Sequence, residues 1–304
     1  MKHIRKIDIH AHATAFPDYF PKHFSIMQRM PSAEEVLSFY DRLDIEAGVL
    51  LAISAAEGQC SNISSENCKF LSDKYPERFF WFCGVDPRAG QNTKDFDLSF
   101  FLSHYKALGA RGIGELTANL YADDPYTENL FAHAESLMMP VTIHISPAPG
   151  EGYGIIDEVG LPRLEAILKR HPKLTIIGHS QPFWAEMSND VTDENRNGYP
   201  KGKVTPGRLW TLMEKYENLY CDLSAGSGMN ALMRDTENAV KFLSAFQNRI
   251  LYGCDICAAG NTHPFLFNDF LNDLRDKKLI SEDIYAKIVR NNAIDLLNLP
   301  LEKA

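Results

Sequence analysis

The chain has 304 residues, 45% of them hydrophobic and 11% aromatic, which is ample for one large core. Its net charge is −9 with no basic block, and that excludes a duplex-binding surface, which needs clustered Lys and Arg to displace counterions. The longest apolar runs, such as 47–53, are far too short to span a bilayer.

The first twelve residues, MKHIRKIDIHAH, contain no uninterrupted apolar stretch and no small-residue cleavage site, so they are not expected to act as a signal peptide. The six cysteines, at 60, 68, 83, 221, 254 and 257, have no framework spacing and read as reduced, mostly buried thiols. A cytoplasmic protein is the expectation, with a small molecule as its partner and neither nucleic acid nor membrane; homo-oligomerisation is left open.

In chain order, short apolar runs rich in β-branched residues predict strands at 4–9, 47–53, 79–85, 110–115, 141–145, 174–177, 219–223 and 250–253. Helix-like stretches lie between and after them, at 32–43, 62–75, 94–108, 125–138, 162–170, 205–216, 230–246, 263–276 and 281–297. Ser32 followed three residues later by Glu35 is a capping box, and Thr127 and Ser281 are also placed to cap.

Eightfold strand–helix alternation means parallel strands joined by crossover helices. Eight units in this length predict an α/β fold, a single (β/α)8 TIM barrel occupying residues 1–304 as one domain. An open doubly wound sheet would call for a glycine-rich turn after the first strand, where this chain has HAHATAF. The polar stretch 181–203 is long for a strand-to-helix loop and reads as an insertion after strand six, over the barrel mouth, serving as lid or specificity loop. The segment 281–297 is an extra C-terminal helix.

Residues 8, 10 and 12 alternate along the first strand and are expected to share a face, which at the carboxyl end of a barrel strand is the active-site mouth. His10 and His12 can then grip one cation, with Asp8 one pleat deeper. Other strands end in further metal-competent side chains: the fourth in Glu115, the fifth in His144, the sixth in His179 and the eighth in Asp255. Asp222 ends the seventh strand, where it either hydrogen-bonds a site histidine or fills the barrel interior.

The set His10-x-His12, Glu115, His144, His179 and Asp255 resembles that of the amidohydrolase superfamily of metal-dependent TIM-barrel enzymes. It is most similar to the "amidohydrolase 2" branch, which holds hydrolases, non-oxidative decarboxylases and hydratases. ILYGCD and IIGHS are similar to that branch's strand-eight and strand-six endings. The departure is at strand four, where many binuclear members carry a carbamylated lysine and this chain has Glu115; a bridging glutamate resembles the arrangement in TatD-like hydrolases.

The resemblance implies that His10, His12 and Asp255 bind a first metal and that Glu115 bridges to a second held by His144 and His179. With one metal, His10, His12, His144 and Asp255 are the ligands, and His179 is left for acid/base work. Such ligands suit Zn2+, with Mn2+ as an alternative. The expected reaction is hydrolysis of an amide, ester or lactone by metal-activated water, with Asp255 shuttling the proton. The alternatives are a metal-dependent decarboxylase or hydratase acting on an aromatic or unsaturated acid, and a barrel that binds a ligand without catalysis.

Several other residues carry two readings. Trp184, Arg196 and Tyr153 sit on mouth loops and either read substrate, as does Asp222 in the substrate-binding set, or simply pack. Gly226-Ser227-Gly228 is a turn or a backbone cradle for an anionic group. Cys254-x-x-Cys257 is a pair of structural thiols in preference to a redox motif. His3, His23, His104, His133, His171 and His263 follow no site logic and are taken as surface or packing residues.

Overall fold

The computed structural model describes residues 3–23 and 27–304, without the side chains of residues 59 and 60, so Cys60 lies outside the described residues. The chain runs β1 (Lys6–Ala11), α1 (Ala33–Leu43), β2 (Ile45–Leu51), α2 (Ser65–Lys74), β3 (Phe79–Phe82), α3 (Ser99–Ala107) and β4 (Ile113–Leu116). It continues through α4 (Pro125–Ser136), β5 (Val141–Ser146), β6 (Ile155–Ile156), α5 (Pro162–Arg170), β7 (Ile176–His179), α6 (Gln181–Ala185), α7 (Arg208–Lys215) and β8 (Leu219–Asp222). The last elements are α8 (Ala225–Met233), α9 (Thr236–Ala245), β9 (Ile250–Leu251), α10 (His263–Asp276), α11 (Glu282–Ala286) and α12 (Asn292–Leu297).

All strand pairs are parallel. The ladders run β1-β2-β3 and β4-β5-β7-β8-β9, with the two-residue β6 attached to β5. Isolated parallel bridges join these runs at both seams, Cys83 to Ile113 and Ala11 to Ile256. At the second seam Ile9 N–H donates to the Tyr252 carbonyl, Asp255 N–H to the His10 carbonyl and Cys254 N–H to Asp8 Oδ1. The architecture is the expected α/β barrel, and the predicted strands six to eight are β7, β8 and β9.

The strands are apolar because both of their faces are covered. A large cluster lies mostly between strands and helices, from Val36, Phe39 and Tyr40 of α1 round to Phe267 and Leu271 of α10. A smaller one, with Ile7, Ile9, Val49, Leu51, Phe82, Ile177 and Leu251, fills the ring and is floored by Ala293, Ile294 and Leu297 of α12. The extra C-terminal segment therefore acts as the barrel's base.

Several local expectations are corrected. Ser32 and Ser281 cap as expected, but Asp124, not Thr127, accepts the first free N–H of α4. The predicted helix 230–246 is two helices, because Asp235 accepts the Asn238 N–H and starts α9 afresh. Gly226, Ser227 and Gly228 lie within α8, not in a turn or an anion cradle. A Cβ at Gly228 would sit 2.3 Å from the Leu223 carbonyl oxygen, so glycine here serves close packing. Residues 8, 10 and 12 do not share a face: a register shift falls between Asp8 and Ala11, and the Asp8 carboxylate accepts Tyr40 O–H from α1. Among the described residues no helix is long and apolar enough to cross a membrane.

Two buried carboxyls give the metal-free chain an unusual pH response. Burial pushes both Asp8 and Asp157 up to about 7, against N–H donors that pull the other way. A proton on each therefore favours the folded state. This contribution is complete below the unfolded value near about 4 and drains away as pH climbs through about 7. Urea melts of chelated protein should lose on the order of 5 kcal/mol between about pH 5 and pH 8, from the two groups together; a stability that rises over that window contradicts the assignment.

Candidate metal centre

Every strand-end residue singled out by sequence reaches one end of the barrel. His10 and His12 leave β1, Glu115 lies in β4, His144 in β5, His179 ends β7, and Asp255 follows β9. His10, His12, Glu115 and His179 are buried, while Asp255 keeps 19% of its side chain exposed and His144 keeps 12%.

The imidazoles are aimed by what their other nitrogen touches. His10 donates Nδ1–H to Asp222 Oδ2 at 2.6 Å, and His12 donates Nδ1–H to the Leu51 carbonyl at 3.2 Å. His179 Nδ1 lies 3.1 Å from Ser224 Oγ, whose hydroxyl donates to Asp222 Oδ2 at 2.9 Å. All three rings therefore present Nε2 to the centre as a lone-pair donor, an orientation fixed by outer partners. His144 is reversed, with Nδ1 facing Glu115 Oε1 at 2.6 Å. Asp222 is thus an orienting group buried beneath the histidines, not a substrate contact.

The donor spacing fits divalent cations. His10 Nε2 and His12 Nε2 are 3.0 Å apart, and Glu115 Oε2 lies 3.7 and 3.4 Å from them. Asp255 Oδ1 lies 3.7 Å from His10 Nε2 and 3.6 Å from His12 Nε2. An ion with contacts of about 2.1 Å separates its ligands by about 3.0 to 3.6 Å, depending on geometry. On the other side, Glu115 Oε1 faces His144 and lies 4.0 Å from His179 Nε2, while Asp255 Oδ2 is 3.9 Å from His179 Nε2. His10/His12/Glu115, His10/His179/Asp255 and Glu115/His144/His179 each bring three ligand atoms within 4.8 Å of one another.

Electrostatics agree. Burial opposes charge on Glu115 and Asp222, yet the neighbouring imidazoles outweigh it and hold both carboxyls well below the usual range. Burial likewise opposes charge on His10, but Asp222 and Asp255 raise it well above an ordinary histidine. Burial lowers His144 despite Glu115. The centre is a largely buried pocket with surplus negative charge, which favours a cation.

Because Asp222 Oδ2 takes the His10 and Ser224 donors while Oδ1 takes Ser224 N–H at 2.9 Å, an amide must turn its NH2 toward one of them. Asp222→Asn should therefore weaken metal affinity by about 10- to 100-fold, read by competition with a chelating dye; unchanged affinity removes Asp222 from the orienting role.

The centre opens on a cavity of about 750 Å³, the size of an ordinary small-molecule site. Tyr153 lines it, with its ring centroid 4.4 Å from that of His144. Trp184 and Arg196 are packing residues instead. Trp184 is buried with Nε1–H on the Asp222 carbonyl, and Arg196 is buried with Nη1 on the Asp157 carbonyl. The expected insertion folds back as α6 and a tethered loop, contributing Gln181, Asn197 and Tyr199 to the wall. Cys254 and Cys257 are free thiols, pushed up by burial, Cys254 well above the ordinary thiol range.

His263 was missed as a lining residue; its Nε2 lies 2.7 Å from the Cys254 carbonyl, and the ring sits in the cavity wall with His23. The available signal was position, because 256–263 is the loop that leaves the last strand at the mouth.

Three solved structures are similar in fold. An amidohydrolase from Burkholderia multivorans shares 16% identity over 97% of this chain and 100% of its own, with a TM-score of 0.64. The 2,6-dihydroxybenzoate decarboxylase from Rhizobium shares 17% over 98% and 99%, with a TM-score of 0.60. The 5-carboxyvanillate decarboxylase from Novosphingobium aromaticivorans, complexed with manganese and 4-hydroxy-3-methoxy-5-nitrobenzoic acid, shares 16% over 97% and 96%, with a TM-score of 0.62. None of the curated proteins matches the sequence. The family model described as amidohydrolase matches residues 7–299. That span runs from β1 past the end of α12 and takes in His10, His12 and Asp255, so the chain belongs to the amidohydrolase family.

Proposed function

We propose that the protein is a cytoplasmic metal-dependent hydrolase that cleaves an amide, ester or lactone bond of a small molecule at a centre for two divalent ions, Zn2+ first and Mn2+ second. One observation carries this reading: the two oxygens of Glu115 face different imidazole pairs, His10/His12 and His144/His179. A carboxylate shared in this way is what a bridged pair of ions requires. One ion would be held by His10, His12, Asp255 and Glu115 Oε2, and the other by His144, His179 and Glu115 Oε1.

When bound, the ions supply Lewis-acid polarisation of a carbonyl and lower the pKa of water toward about 7. The chain's own residues do the rest. Asp255 is the carboxylate of the set most open to the cavity, so it takes the proton from the attacking water and hands it to the leaving group. Tyr153 covers His144 and narrows the approach to the reacting carbonyl. Asp222, through His10 and Ser224, keeps the nitrogen lone pairs aimed inward.

A decarboxylase or hydratase is the second reading, favoured by the likeness to decarboxylases. It needs one ion, with His179 left as acid/base. The test is elemental analysis together with assays. Protein purified without chelator should carry two ions per chain and hydrolyse members of an ester, amide and lactone panel. Chelation should abolish turnover, and Zn2+ or Mn2+ should restore it. One ion per chain with CO2 release from hydroxybenzoates selects the second reading.

A further inference from the structure

We propose, resting on the hydrolase reading, that the substrate's body beyond the reacting carbonyl is uncharged and rich in hydroxyls, not a carboxylated or phosphorylated compound. Among the described residues the 750 Å³ cavity is lined by no lysine and no arginine. Its charged lining groups are the carboxylates Glu115 and Asp255 at the floor and Glu151 near the rim. With Glu115 and Asp255 engaged by the ions, a distal anion placed here would lose its hydration without gaining a cationic side-chain partner, and would face Glu151.

The polar wall is built from side-chain amides. Gln28 Oε1 accepts Gly260 N–H at 3.2 Å, which leaves its NH2 for a ligand. Asn261 Oδ1 accepts the N–H groups of Cys257 and Ala258 at 3.0 and 2.9 Å, which does the same. Asn230 Nδ2 donates to the Pro200 carbonyl at 3.0 Å, which leaves its oxygen. Gln181 and Asn197 complete the amide set. Gln28, Asn261 and Asn230 are each oriented by a backbone partner, and together they offer both donors and acceptors. A hydroxyl both donates and accepts, so a polyhydroxylated body matches such a wall, whereas a carboxylate can only accept.

The basic rings on the wall do not change this. His263, with Nε2–H donated to the Cys254 carbonyl, presents Nδ1 as an acceptor in its neutral form, and His23 is the other ring outside the metal centre, where His12, His144 and His179 point. The N-terminus of α8 adds backbone donors at Ala225 and Gly226, but Tyr199 Oη lies over it, 3.0 Å from where a Cβ on Gly226 would be. Tyr199 and Tyr153 supply flat faces suited to the C–H side of a polyol ring.

The test uses a pair differing in one group, glucono-1,4-lactone with a terminal hydroxymethyl and glucaro-1,4-lactone with a carboxylate there. Both turnover and equilibrium binding are measured on metal-loaded protein. The expected result is that the neutral lactone is favoured by at least roughly tenfold in kcat/KM and in Kd. Equal or better handling of glucaro-1,4-lactone overturns the inference while leaving hydrolysis standing. Neutral-over-acid preference in binding, with no turnover of either, supports the inference and counts against the hydrolase reading. Failure of the neutral lactone both to bind and to react at millimolar concentration overturns the inference, and phenyl acetate hydrolysis by the same sample then shows whether the hydrolase reading survives.

Discussion

Asp255→Asn yields a folded protein whose turnover falls on the order of 10³-fold. The side chain occupies a backbone position with φ of +50°, a left-handed conformation that asparagine tolerates better than other replacements. The backbone bond from residue 255 to the His10 carbonyl is untouched, and the side chain is partly open to the cavity, so no buried charge is orphaned. What disappears is a group able to accept a proton next to His10, His12 and His179. Circular dichroism and melting temperature should stay near those of the parent while kcat collapses. Near-normal kcat removes Asp255 from proton transfer. Asp255→Ala is the poorer probe, because it adds backbone strain of about 1–2 kcal/mol.

Glu115→Gln is the second large effect, and its primary readout is stoichiometry. An amide has one carbonyl oxygen, so it can serve His10/His12 or His144/His179 but not both, and its NH2 must face the other pair. Bound metal should fall from two ions to one or fewer, and turnover by roughly 10²-fold or more. Retention of two ions, measured by elemental analysis after dialysis, means that Glu115 does not bridge and removes the observation on which the two-ion reading rests. Because the buried Glu115 also accepts at 2.6 Å from the partly buried His144, some loss of thermal stability accompanies the change, and metal count separates the two effects.

The barrel and the six strand-end residues were legible because each follows an apolar run whose direction is set by covered faces, and a strand's last residue on the mouth side has few alternatives. What failed depended on contacts made from elsewhere. Asp8 turned away because a register shift interrupts the period of two. Sequence spacing cannot reveal such a shift, since it comes from how β1 pairs with β2. The start of α8 was missed because Gly226 and Gly228 are poor helix formers and Ser227 only a middling one, and the close approach of the Leu223 carbonyl that favours Gly228 exists only once the backbone is folded. Trp184 and Arg196 lay on the expected mouth loop, yet Trp184 is carried inward by α6 and Arg196 is buried from the loop beyond it, against the Asp157 carbonyl. The packing is tight enough that a Cβ at Gly178 would lie 2.2 Å from the Phe183 ring.

The seam between β1 and the residues after β9 has a kinetic meaning. Cys254 and Asp8 stand 246 positions apart in sequence, so the groups that meet there come together only after nearly the whole polypeptide is in place. His10 and His12 stand on one side of that junction and Asp255 on the other, which makes a bound cation a clasp between the two ends of the chain. Cation uptake then reports ring closure, and at a concentration a thousandfold above Kd it adds about 4 kcal/mol to global stability. In hydrogen-exchange experiments on stripped protein, the amides of residues 9, 254 and 255 are the ones whose protection should fall first.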